Sequence, residues 1–121
     1  MSIKKILVCD DSKADRTKLE TIVSGAGCLV ISTDCGKDAL QQAVSEQPDL
    51  IFLDIIMPDM DGFETCRALQ NDPDTKSIPI VFVTSKGQKA DRVWAQMQGG
   101  KDLVVKPYSR EDIVAQINNS V

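Results

Sequence analysis

Short apolar runs alternate with amphipathic stretches along this chain, and that alternation restricts it to few architectures. The runs are Lys5–Cys9, Leu29–Ile31, Leu50–Leu53, Ile78–Val83 and Leu103–Val105. They are nearly continuous in apolar side chains, as in strands covered on both faces. Between them, apolar residues recur at helical spacing. Leu19, Ile22, Val23 and Ala26 form one stripe, stopped by Gly27, and Ala39, Leu40, Ala43 and Val44 form a second that ends before Pro48. Phe63, Cys66 and Leu69 mark a third helix, ending near Asn71-Asp72-Pro73. Ala90, Val93, Trp94 and Met97 mark a fourth, closed by Gly99-Gly100. That last stripe is expected to pack into the core. Ser109, with Asp112 three residues on, opens a fifth helix carrying Ile113 and Ile117. Strand–helix units in succession predict an α/β fold: a five-stranded parallel sheet with right-handed crossovers and five helices on its two faces. With 121 residues and no repeat, linker or low-complexity stretch, residues 1–121 read as a single domain with no output domain attached.

Four of the runs lead into polar residues: Asp10-Asp11, Asp54, Thr84 and Lys106. In a parallel sheet these fall at one edge, outside the carboxyl ends of the strands, where ligands bind. Three carboxylates, a hydroxyl and an ammonium suit a divalent cation and a phosphoryl group. Crowded carboxylates repel, and burial raises the penalty, so a cation relieves the site. Oxygen-only donors favour Mg²⁺, with Mn²⁺ as an alternative, over Zn²⁺. Taken singly, each residue has an ordinary explanation as a helix-terminal acid, turn former, cap or solvated charge. In register they point to chemistry. Asp59 and Asp61 read as turn and helix-cap residues.

Composition narrows the chemistry further. The chain holds no histidine, which removes imidazole metal sites, Ser-His and Cys-His nucleophiles and phosphohistidine intermediates. A covalent phosphoryl carrier here must be a carboxylate. The formal net charge of −4 gives no overall attraction to nucleic acid. No apolar run is long enough for a membrane helix, and no signal-peptide h-region precedes the first run, so a cytoplasmic protein is expected. Cys9, Cys28, Cys35 and Cys66 show no CxxC spacing, and small buried thiols are the expected reading.

Asp10-Asp11, Asp54, Thr84 and Lys106, in this order on five strand–helix units, resemble the receiver domain of bacterial response regulators over the whole chain. Met57-Pro58, Gly62, Gly99 and Lys106-Pro107 agree with it. The resemblance implies strand order 2-1-3-4-5 and a stand-alone two-component regulator, with Asp54 as phosphoacceptor. It implies that Asp11 and Asp54 bind Mg²⁺ directly, Asp10 through water and Ile56 through its backbone carbonyl. Lys106 would neutralise phosphoryl oxygens, Thr84 would bond the phosphoryl group, and the Lys106–Pro107 peptide would be cis. Ile56 and Lys86, at the mouth of the cleft, are expected to tune phosphate lifetime. The aromatic switch position on the fifth strand is Leu103 here, a departure from the family pattern.

The implied partners are a chemotaxis-type histidine kinase and a downstream protein bound through the fourth helix, fifth strand and fifth helix, where Lys89, Arg92 and Lys101 could contribute charge. A monomer is expected, with no separate substrate turnover. Residues 86–100 most resemble single-domain regulators of pilus-driven twitching or phototactic motility. A phosphate sink or a phosphate-independent binding module are the alternative roles. An aspartyl-phosphate phosphatase would need Asp-x-Asp after the first strand, where this chain has Asp10-Asp11. A flavin protein would need a hydroxyl-rich loop there and aromatic stacking partners, against 4% aromatic content.

Overall fold

The computed structural model describes residues 4–85 and 89–120, and for Lys89 and Ala90 the backbone only. The elements alternate as β1 (Lys5–Cys9), α1 (Lys13–Gly25), β2 (Leu29–Thr33), α2 (Gly36–Glu46), β3 (Leu50–Asp54), α3 (Gly62–Asn71), β4 (Ile80–Thr84), α4 (Lys89–Met97), β5 (Asp102–Val105) and α5 (Arg110–Asn119). All strands are parallel, in the order β2-β1-β3-β4-β5. The expected fold class and strand order are those observed.

Two strand boundaries differ from expectation by two residues, and three others by one. β2 runs on to Thr33, whose hydroxyl donates to the Val8 carbonyl at 3.1 Å. β4 starts at Ile80 instead of Ile78, because the Ile78 N–H is committed to a turn bond with the Thr75 carbonyl at 3.0 Å.

Alternate residues of each strand feed two apolar layers. Leu7, Cys9, Ile51, Leu53 and Phe82 point to one side, with Ala39 and Ala43 of α2, Cys66 and Leu69 of α3 and Ala95 of α4. Ile6, Val8, Leu50, Phe52, Val81 and Val83 point to the other, under Leu19 and Val23 of α1 and Ile113 and Ile117 of α5. The central strands β3 and β4 are buried along their whole length, which is why their sequences show no polar alternation.

The α4 stripe is not core, contrary to expectation. Val93, Trp94 and Met97 are 51%, 50% and 69% exposed, and Ala95 is the buried contact. The helix turns a small residue to the sheet because Phe82 already fills that space. A methyl group on Gly100 would come within 2.4 Å of its ring. Among the described residues Trp94 has one ring contact, edge-to-face with Phe63 at 6.5 Å between centroids. The thiol expectation holds for Cys9 and Cys66, which are buried, while Cys28 and Cys35 are half-buried; all four are free.

Candidate functional site

Parallel pairing places the candidate residues together. Asp54 closes β3 opposite Val83, one residue before Thr84, and Thr84 lies opposite Val105, one residue before Lys106. Asp10 and Asp11 follow the end of β1, the neighbour of β3. Asp10, Asp54 and Thr84 are buried, and Asp11 is exposed.

One oxygen each from Asp10, Asp11 and Asp54 lies within 4.8 Å of the others. Asp54 Oδ1 accepts from the Ile55 N–H at 2.9 Å, while Oδ2 faces Lys106 Nζ at 3.6 Å. Burial, then the charge of Asp10, pushes the Asp54 pKa up to about 6; Lys106 opposes the rise. A buried carboxylate whose charge is disfavoured, with two more carboxylates beside it and no nitrogen or sulfur donor among them, fits a hard divalent cation such as Mg²⁺. Asp34, Cys35 and Asp38 also draw together at the start of α2. There both carboxylates are exposed, and Asp38 lies in the first helical turn, where a carboxylate offsets the helix dipole.

Lys106 is engaged more closely elsewhere than with Asp54. Its Nζ lies 2.9 Å from both Asp10 Oδ2 and Asp15 Oδ2. Burial alone would lower its pKa, but hydrogen bonds to Asp15 and Asp10 outweigh this and raise it. Sequence reading missed Asp15. Ser12-x-x-Asp15 reads as an ordinary capping box, and no linear signal links Asp15 to a lysine 91 positions away.

The loops hold this arrangement in place. The Gly62 N–H donates to the Ile55 carbonyl at 2.7 Å, and a Cβ at Gly62 would stand 2.2 Å from the Asp54 carbonyl oxygen, so only glycine lets α3 start this close to β3. As expected, Asp61 caps α3 by accepting from the Glu64 N–H at 2.8 Å, and Asp59 takes a turn conformation with φ 68°. The Lys106–Pro107 peptide is cis. Ile56 is half exposed, two residues beyond Asp54. Lys86, its expected counterpart, lies outside the described residues, as does the Lys89 side chain. Arg92 turns to the Leu103 carbonyl at 3.0 Å and Asp102 at 3.7 Å, and Lys101 donates to the Asn119 carbonyl. Leu103 is buried.

The response regulator receiver domain model matches residues 6–118. The chain belongs to the receiver domain family. Protein PilH of Pseudomonas aeruginosa is 37% identical over 114 residues, 94% of either chain. Protein PilG of the same organism is 36% identical over 117 residues, covering 97% of this chain and 87% of that one. The chemotaxis response regulator CheY4 of Vibrio cholerae superposes with a TM-score of 0.92 at 27% identity, covering 99% of this receiver domain and 100% of that chain. Among the described residues, no helix is long and apolar enough to cross a membrane.

Proposed function

We propose that this receiver domain accepts a phosphoryl group on Asp54 from a histidine kinase and signals by binding a protein partner. The observation that carries this reading is the Asp54 carboxylate, 7% exposed, ringed by Asp10 and Asp11 and faced by the Lys106 ammonium. An Asp54 oxygen forms the bond to phosphorus as the bond from phosphorus to the donor imidazole breaks. The electron pair stays with the donor nitrogen, which takes up a proton. Asp10, Asp11 and Asp54 would hold Mg²⁺, which neutralises carboxylate and phosphoryl charge. Lys106 supplies a fixed positive charge beside the acceptor, and Thr84, at the adjacent strand end, is the hydroxyl placed to bond the phosphoryl group. The Ile56 backbone carbonyl completes the proposed ligand set.

The resemblance of residues 86–100 to pilus-motility regulators, and the similarity to PilH and PilG along most of the chain, support a role in chemotaxis-like control of type IV pilus motility. The partner would bind α4, β5 and α5, where Val93, Trp94 and Met97 are already exposed. Residues 1–121 would act as one cytoplasmic, monomeric unit.

Intact mass after incubation with acetyl phosphate tests the chemistry. One phosphoryl adduct is expected, lost with EDTA and lost in Asp54→Asn. An adduct that survives in Asp54→Asn would place the acceptor elsewhere. Failure to accept phosphate from a phosphorylated kinase as well would leave a phosphate-independent binding module.

A further inference from the structure

The same sequence pattern meets two fates in this fold. Ser109-x-x-Asp112 closes a capping box on α5, with the Ser109 N–H donating to Asp112 Oδ2 at 2.9 Å. Ser12-x-x-Asp15 begins alike on α1, where Ser12 Oγ accepts from the Asp15 N–H at 3.3 Å. The reciprocal bond is missing. The Ser12 N–H donates instead to Asp10 Oδ1 at 2.9 Å, and the Asp15 carboxylate turns to Lys106 Nζ at 2.9 Å. Asp15 has given up a local bond for one across the fold.

The Lys106 ammonium has three N–H donors. One serves Asp10 and one serves Asp15, at equal distance, and Asp54 Oδ2 stands farther off at 3.6 Å. Asp10 belongs to the acidic group and Asp15 does not. An ammonium and a divalent cation compete for Asp10, because either one neutralises it.

We propose that Asp15 is a positioning residue that shares the Lys106 ammonium with Asp10 and so weakens its hold on Asp10 against a divalent cation. The proposal rests on the reading of Asp10, Asp11 and Asp54 as the cation site. Without the Asp15 carboxylate, the ammonium rests on Asp10 and Asp54 alone among its ion-pair partners in the described residues. A cation then has to displace it. The effect runs through Lys106 and disappears when the ammonium is removed.

Mg²⁺ binding by calorimetry, on the full chain of wild type, Asp15→Asn, Asp15→Glu, Lys106→Met and the Asp15→Asn/Lys106→Met pair, tests this without reference to phosphorylation. Circular dichroism checks each fold, and Lys106→Gln serves as a second truncation. Asp15→Asn is expected to bind Mg²⁺ roughly fivefold more weakly, with Asp15→Glu close to wild type, as befits one partly exposed ion pair. In the Lys106→Met background, the change on Asp15→Asn should shrink to less than about twofold. Equal affinity of wild type and Asp15→Asn overturns the proposal. So does an equal loss in both backgrounds, which would make Asp15 a plain through-space charge. If wild type binds no Mg²⁺, the cation-site reading falls and the proposal falls with it, a failure distinct from the other two.

Discussion

The ionised form of Asp54 is disfavoured in the resting fold by burial and by the charge of Asp10. The unfolded chain therefore releases the Asp54 proton near pH 3.8, the folded one near 6. Between these values the folded state keeps a proton that the unfolded state has lost. Stability therefore falls as pH rises through this window and stays lower above it, while below about pH 4 the contribution vanishes. Asp54→Asn, which keeps an oxygen for the Ile55 N–H, should be more stable than wild type at pH 7 by on the order of 2 kcal/mol. Urea unfolding at stepped pH should show the difference closing between pH 6 and pH 4. Equal differences at pH 4 and pH 7 would mean that packing, not charge, separates the two proteins. The four strand-end positions were legible because each interrupts an apolar run. Asp15 was not, because a carboxylate three residues after a capping serine already has a local explanation.

Helix ends in this domain are completed from two directions. Three N-termini are served locally: Ser12, Asp61 and Ser109 each accept from the backbone N–H three residues on. Only α5 adds the reciprocal bond among the described residues, so its cap is the more self-contained. Ser109→Ala should cost about 1 kcal/mol in chemical denaturation with the m-value unchanged. A cost near zero would show that Asp112 alone suffices at that end. C-termini are closed by the backbone N–H groups that follow them, and two are also reached from afar. No helix has a basic residue in its last turn. Lys5, at the start of β1, instead reaches the Glu46 carbonyl of α2 at 3.1 Å, and Lys4 reaches the Ile117 carbonyl of α5 at 2.5 Å. Boundaries marked by glycine, proline or a cap were read closely from sequence. The Ile78 boundary was misread because an apolar side chain does not reveal that its N–H serves a turn.

Across the whole molecule, two apolar layers clamp the sheet and leave one end open to the acidic group and one helix face open to solvent. Trp94, the chain's single tryptophan, reports on that face. Its emission should be red-shifted and readily quenched by acrylamide, and Trp94→Ala should cost less than about 1 kcal/mol, since a half-exposed ring with one edge contact loses little. A blue-shifted, protected emission would put the ring in the core, where helical periodicity alone had placed it. The sequence by itself determined the alternating elements, the parallel sheet, and which polar residues stand at its carboxyl edge. These follow from local periodicity and from where apolar runs stop. Only the tertiary structure decided that α4 buries Ala95 in place of Trp94, and that Lys106 leans on Asp15 as well as Asp10. Both depend on contacts between segments far apart in the chain: the ring of Phe82 occupies the space under α4, and β5 brings an ammonium beside the first turn of α1. Periodicity describes one segment at a time and carries no record of what its neighbours have already filled or charged.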